Sequence, residues 1–97
     1  MKKCNFYSIM RLENGPGAVL QTGYQDNNGI WYYKNNGFWQ AISPDNGLMI
    51  TYGTTRKEAA EKVNTPEMQK RLARFLASES GQWARTRFIE AIKEAEA

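Results

Sequence analysis

The sequence predicts an α+β fold in which an antiparallel meander of about five strands carries two to three C-terminal helices packed on one face. Short runs rich in aromatic and β-branched residues fill the first half of the chain and favour strands. Four turn signals that contain glycine separate these runs. After Gly53, Ala, Glu, Lys and Arg predominate, as is typical of helices. We therefore expect a single domain, 1–97, with its sheet in 1–53 and its helices in 54–97.

The turn signals set the limits of the strands. The segments ENGPG, QDNNG, KNNG and SPDNG each combine polar turn formers with a glycine that can adopt a positive φ angle. Neighbouring runs joined by such short turns pair as antiparallel hairpins, which predicts a meander. The expected strands are 5–12, 18–24, 30–33, 38–42 and 48–52.

Two helix starts are marked by capping residues. Thr55 and Glu58 fit the T-x-x-E capping box, in which each side chain satisfies a backbone donor of the other residue. This helix is expected to run to about Val63. Thr65 is a suitable N-cap for a second helix, because Pro66 follows at the first helical position.

An apolar stripe defines the second helix, and a break separates it from a third. Its apolar residues recur at i, i+4, i+7 and i+8, which places them on one helical face. The segment SESG, 78–81, is expected to end or bend this helix, and a third helix resumes near Gln82. The stripe consists of Met68, Leu72, Phe75 and Leu76.

Charge and rare residues narrow the function classes. Thirteen Lys and Arg against ten Asp and Glu give a net charge of +3, which is mild for a dedicated polyanion binder. The single cysteine, Cys4, excludes an intrachain disulfide and indicates a reducing cytoplasm. No run approaches the roughly 20 apolar residues of a membrane span, so we expect no membrane partner.

The chain contains no histidine, which removes the commonest general base and metal ligand. No catalytic or phosphate-loop motif is present. The sequence therefore predicts a non-enzymatic protein without cofactor, catalytic residue or metal site; a hydrolase acting through carboxylates is a third-ranked alternative. The polar residues that such chemistry would require are Cys4, Ser8, Glu13, Asp26, Ser43 and Asp45, and the two aspartates are expected to bond their own turns.

One stretch resembles a known family. Residues 37–63 contain FWQAISPDNG, a second short strand and GTTRKEAAEKV, a pattern similar to the N-terminal ββα unit of HicB-type antitoxins. The resemblance covers under a third of the chain. It implies a cytoplasmic, non-enzymatic protein that neutralises a small ribonuclease toxin by covering its active surface, and that often binds operator DNA through a separate element. The matching positions are Pro44, Asp45, Gly47, Gly53, Thr55, Glu58 and Ala59.

Our first functional hypothesis is a small protein-binding module, either an antitoxin-like inhibitor or an accessory protein of a phage or mobile element. Alternation in the aromatic strands places large side chains on both faces of the sheet, and three short helices cannot cover both. An exposed aromatic patch for a protein partner or for self-association is expected to include Phe38 and either Tyr32 with Ile30 or Tyr33 with Trp31. The predicted partner-binding residues are thus Trp31, Tyr32, Tyr33 and Phe38.

The alternative hypothesis is nucleic-acid binding through the C-terminal helices. Between Lys70 and Arg87 the only acidic residue is Glu79, which favours a local basic patch that can contact phosphates. A solvated helix face explains the same pattern. The residues of this patch are Lys70, Arg71, Arg74, Arg85 and Arg87.

Overall fold

The structure, a computed structural model, describes residues 1–97 and has five strands followed by three helices. The sheet order is β1-β2-β3-β4-β5, and each neighbouring pair is antiparallel. The predicted α+β meander is confirmed. The elements are β1 (Lys2–Leu12), β2 (Gly15–Gln25), β3 (Trp31–Asn35), β4 (Phe38–Ile42), β5 (Met49–Gly53), α1 (Arg56–Val63), α2 (Pro66–Ala77) and α3 (Glu79–Glu96).

The first hairpin is longer than the sequence predicted. β1 and β2 pair without interruption from Lys2 opposite Gln25 to Leu12 opposite Gly15. The ENGPG segment therefore contributes only a tight turn, with Gly15 at a φ of 110° already in β2. The sequence pattern underestimated this hairpin because polar residues on a pleated strand do not interrupt its backbone pairing.

The sheet curls between β2 and β3, where the two strands come very close together but pair over a short length. The two strands pair only at Tyr24 opposite Tyr32 and Gln25 opposite Trp31. Gly23 permits this approach, since a Cβ there would overlap the carbonyl group of Tyr32. Further along, the β1 edge reaches the loop between β4 and β5, where the Ile9 amide donates a hydrogen bond to the Gly47 carbonyl at 2.8 Å.

The helices pack on one face of this sheet, as predicted. We call it the helical face; it carries Tyr32 and Ala41, which are opposite one another on β3 and β4. α1 covers these residues with Ala59 and Val63, and the four side chains form a buried cluster with Ile30. α3 lies against β2 further along the same face, where Ala18 is buried.

The opposite face of the sheet has its own small core. Phe6 stacks on Trp31 with ring centroids 4.9 Å apart and contacts Tyr33 edge-on at 5.8 Å. Ile42 completes the buried cluster. The curled β1–β2 hairpin supplies Phe6, so a strand rather than a helix buries this part of the opposite face.

The helix boundaries follow the predicted caps, with two differences. The Thr55 hydroxyl accepts a hydrogen bond from the Glu58 amide at 3.1 Å, but the Glu58 carboxylate accepts from the Thr54 hydroxyl at 2.8 Å, so the predicted reciprocal box is only half formed. α3 begins at Glu79, three residues before the predicted position, because Ser78 is its N-cap and accepts from the Gly81 amide.

Gly81 is therefore helical instead of ending a helix. A Cβ at this position would overlap the Phe75 carbonyl group, so the absent side chain lets α3 start in direct contact with the end of α2. Thr65 and Pro66 begin α2 as predicted, with the Met68 amide donating to the Thr65 hydroxyl at 3.3 Å.

Candidate partner-binding surface

The aromatic residues of β3 are mostly inside the protein. Tyr32 is 0% exposed beneath α1, and Tyr33 is 5% exposed beneath the first hairpin. Trp31 is half-buried against Phe6. The expectation that one pair, Tyr32 with Ile30 or Tyr33 with Trp31, would be uncovered is wrong, because the curled hairpin covers the face that the helices leave free.

Phe38 is the predicted partner-binding residue that does reach the surface. Its side chain is 45% exposed and contacts Tyr52 edge-on, with ring centroids 5.7 Å apart. Tyr52 and Met49 on β5 are each 50% exposed. Phe38, Gln40, Met49 and Tyr52 line one shallow cleft. The exposed patch thus extends from Phe38 towards β5, away from the predicted neighbours on β3.

A second cleft, of about 350 Å³, lies between β5 and α2. Met49 and Ile50 form one wall together with Leu48 of the preceding loop, and the apolar stripe of α2 forms the other. The stripe residues are only half-buried, and α2 has no buried residue at all. The residues of this wall are Met68, Leu72 and Phe75, with Arg71 beside them.

These clefts form a continuous surface. Met49 lines both the cleft at Phe38 and the cleft at α2. Leu48 lines the α2 cleft and a third cleft beneath α3, next to Trp83, whose side chain is 68% exposed. We call this continuous apolar surface the β5–α2 strip and define it by Phe38, Leu48, Met49, Met68, Leu72 and Phe75.

The five basic residues of the nucleic-acid hypothesis do not share one electrostatic environment. Arg85 forms an ion pair with Asp45 at 2.8 Å, and Arg87 forms one with Glu90 at 2.8 Å. The other Asp45 oxygen, Oδ2, is buried and lacks a hydrogen-bond partner, so Arg85 is the only cation on that carboxylate. Lys70, Arg71 and Arg74 are exposed and make no ion pair.

The predicted turn role of Asp26 is confirmed. Its Oδ1 atom accepts from the amides of Asn28 and Ile30, and its Oδ2 atom accepts from the Tyr32 hydroxyl at 2.8 Å. Burial, and then the hydrogen bond and charge of Asp26, raise the pKa of Tyr32 well above its ordinary value. Asp45 differs from the expectation, because its side chain binds Arg85 across the fold rather than its own turn.

The remaining polar candidates are dispersed. The Ser8 hydroxyl accepts a hydrogen bond from the side-chain Nε2 of Gln21 at 3.2 Å, and the Ser43 hydroxyl accepts from the backbone amide of Asp45 within its turn. Cys4 is half-buried in β1. No three Cys, Asp or Glu side chains converge in a way that could hold a metal ion. None of the helices is both long enough and apolar enough to span a membrane.

Sequence reasoning found only Phe38 among the residues of the strip. Leu48 and Met49 were expected to be ordinary strand residues, and the stripe of α2 was recognised only as one helical face. Simple alternation could not have found the β5 part, because Met49 and Tyr52 are three residues apart and stand opposite the same-face residues Ile42 and Gln40 only through the register shift between Ala41 and Ile42.

In comparisons with known proteins, no family model, no curated protein and no solved structure matches the chain. β4, β5 and α1 do form a ββα unit over the stretch that resembles HicB-type antitoxins. That arrangement follows from the Pro-Asp-x-Gly turn and the Thr55 cap alone, so the resemblance stays a prediction.

Proposed function

We propose that the chain is a non-enzymatic protein-binding module whose β5–α2 strip receives an acidic amphipathic helix of a partner protein. One observation carries the proposal: α2 has a regular apolar stripe, yet its residues are only half-buried and none of them is fully covered by the chain. A helix with one apolar face is stabilised by covering that face, and a partner helix supplies the cover here.

The residues of the strip on β5 and α2 are contiguous. Leu48 and Met49 are exposed next to the half-buried Met68, Leu72 and Phe75, and these side chains line one cleft. A contiguous exposed apolar surface on a small protein is a sign of an interaction site. A groove between a strand edge and a helix suits anchors at i, i+3, i+4 and i+7 of a bound helix.

The charges beside the strip indicate the sign of the charge expected on the partner. Lys70, Arg71 and Arg74 have no acidic partner within the chain, and Arg71 itself lines the cleft. Glu67 is the only acidic residue of α2. Complementary charges around an apolar contact raise the association rate and select the partner, so acidic residues are expected on the polar face of the bound helix.

An inhibitor of the antitoxin type would use this surface to cover part of its target, and an accessory protein of a phage or mobile element would use it to join a complex. Both uses need the same contact. The resemblance to HicB-type antitoxins favours the inhibitor.

The proposal can be tested by site-specific crosslinking in the organism from which the chain derives. A photo-reactive amino acid at position 49 lies on the strip, and one at position 20 is a matched control, since Leu20 is an apolar β2 residue 57% exposed elsewhere. We expect position 49 alone to crosslink a partner peptide with acidic residues and apolar residues at helical spacing. Arg71→Glu should reduce the yield strongly.

Three outcomes would contradict the proposal. Crosslinks of equal yield from both positions would indicate a general sticky surface, and no crosslink from position 49 would leave the strip without a partner. A crosslink from position 49 to a second copy of the chain would replace the partner helix by self-association. Light scattering of the purified protein, which we expect to be monomeric, distinguishes the last case independently.

Nucleic-acid binding through the C-terminal helices remains the alternative function, and the three unpaired cations of α2 are the observation in its favour. Arg85 and Arg87 contribute less to it, because their acidic partners offset their charge.

A further inference from the structure

A separate basic and aromatic surface lies on the helical face of the sheet, at the start of α1. The guanidinium carbon of Arg56 is 4.2 Å from the centroid of the Tyr24 ring and 5.8 Å from that of Trp39. The two ring centroids are 6.2 Å apart. Arg56 is thus held over an aromatic pair contributed by β2 and β4.

Stacking determines which part of Arg56 is available. A guanidinium this close to an aromatic ring typically stacks its flat face on the ring, and its N–H groups then lie along the edge of the plane. The Arg56 side chain takes part in no ion pair and in no side-chain hydrogen bond within the chain. A planar donor group that is fixed in position and has free N–H groups is suited to bind a phosphate through two hydrogen bonds.

Two lysines flank the same rings. Lys3 lies directly opposite Tyr24 on β1, and Lys34 lies directly opposite Trp39 on β3. Directly opposite residues project from the same face of a sheet with their Cβ atoms roughly 5 Å apart. Both lysines are exposed and neither forms an ion pair.

Few acidic groups offset this charge. Lys57 follows Arg56 in α1, and both line a shallow depression that also contains Glu61. Glu58 is engaged by Lys62 at 3.3 Å and by the Thr54 hydroxyl. The surface therefore combines four cations with one free carboxylate.

We propose that this surface binds the phosphate backbone of a single-stranded nucleic acid, with Arg56, Lys3 and Lys34 contacting phosphates and the half-buried ring of Trp39, which Arg56 covers less closely than Tyr24, contacting a base. Basic grooves lined with aromatic side chains bind single strands in this way. The site is independent of the β5–α2 strip, since Trp39 alternates with Phe38 along β4 and projects from the other face of the sheet.

The test measures the salt dependence of binding by fluorescence anisotropy, with labelled 12-nucleotide single strands of DNA and RNA as probes. The double variant Lys3→Gln/Lys34→Gln removes two cations from the proposed site, and Lys70→Gln/Arg74→Gln removes two from α2 as a matched control. Each lost phosphate contact lowers the slope of log K against log salt by about 0.7 for a single strand, so the first variant should lose roughly 1.4. The control should retain the wild-type slope.

Arg56→Lys separates geometry from charge. It keeps the positive charge but loses the planar fork and its stacking, so we expect several-fold weaker binding with an almost unchanged salt slope. Thermal melts of the two double variants should match the wild type, because the substituted side chains are exposed.

The outcomes are distinct. A loss of slope in the α2 variant but not in the sheet variant would assign binding to the C-terminal helices and overturn the proposal. Equal affinity for a duplex of the same length would exclude a single-strand site, and full competition by millimolar inorganic phosphate would reduce it to a site for free phosphate. Absence of binding at the lowest salt concentration would also overturn it.

Discussion

α1 and α2 are consecutive helices that differ in how far their apolar side chains are buried. α1 has eight residues and only small apolar side chains, yet Ala59 and Val63 are fully buried. α2 has twelve residues and a regular stripe of large apolar side chains, and none of them is buried. The helix with the weaker pattern belongs to the core, and the one with the stronger pattern forms a surface.

The difference arises from what each helix faces. α1 follows β5 immediately and lies on β4 and β5, where Gly53 permits the backbone of Ala59 to come close. Small side chains then fill the narrow space at high packing density. α2 lies mainly against α1 and α3, so its large residues are only partly covered. An apolar stripe indicates which side of a helix avoids water, but the neighbouring elements decide whether that side is covered.

The sharpest test of this comparison is a matched pair of truncations. Val63→Ala removes two methyl groups from a fully buried site and should lower the free energy of unfolding by about 2–3 kcal/mol. Leu72→Ala removes more atoms from a half-exposed site and should cost only about 1 kcal/mol or less. Chemical denaturation of both variants measures the difference. A larger loss for Leu72→Ala would show that α2 belongs to the core.

The buried Tyr32 beneath α1 should respond to pH. Its raised pKa means that the folded state favours the neutral phenol. This stabilisation is complete below the unfolded pKa of about 10 and is lost as the pH rises above it. We expect the free energy of unfolding to fall above about pH 10, and to fall less in Tyr32→Phe. Tyr52→Phe, at an exposed tyrosine, is the control and should behave like the wild type.

The same variant tests the hydrogen bond to Asp26 at neutral pH. Tyr32→Phe leaves one carboxylate oxygen without its donor, which should cost about 1.5–3 kcal/mol, the usual net worth of a hydrogen bond to a charged group. Thermal melts at pH 7 measure the loss. If Tyr32→Phe leaves the stability unchanged, a water molecule fully replaces the hydrogen bond of the hydroxyl.

Loss of the threonine cap should destabilise the protein more at α1, which belongs to the core, than at α2, which lies at the surface. Thr55→Ala at the start of α1 should cost about 1 kcal/mol, because α1 unfolds only together with the sheet. Thr65→Ala at the start of α2 should cost about 0.5 kcal/mol in global stability, since α2 can fray locally. Hydrogen exchange of the α2 amides should increase in Thr65→Ala and remain unchanged in Thr55→Ala. Equal losses in the free energy of unfolding for Thr55→Ala and Thr65→Ala would contradict the conclusion that α1 belongs to the core and α2 to the surface.

The smallest effect is expected at the sheet end of the strip. Phe38→Ser removes a large side chain, but because it is half-exposed the free energy of unfolding should change by only about 0.5 kcal/mol. Denaturation with urea measures this. A loss of several kcal/mol would show that Phe38 is a core residue, and the strip would then end at Met49.

The local signals in the sequence were accurate wherever they depended on backbone chemistry. Gly29, Gly37 and Gly47 have positive φ angles as the turn signals predict, and Thr55 and Thr65 cap the two helices that they were expected to start. The predictions were wrong where contacts between residues distant in the chain determine the structure. The third helix begins at Glu79, after the Ser78 cap, rather than near Gln82, because Gly81 can pack against the end of α2.

The sequence by itself determined the meander, the order of the elements and the apolar sides of the helices, because turn conformations, caps and periodicity involve residues that are close in the chain. Only the tertiary structure decided which aromatic residues are exposed. Alternation correctly placed large side chains on both faces of the sheet, but whether Tyr33 or Phe38 meets water depends on how far the β1–β2 hairpin curls over β3. That curl depends on a close approach between Gly23 and Tyr32 and on the Ile9 contact with Gly47, neither of which leaves a periodic trace in the sequence.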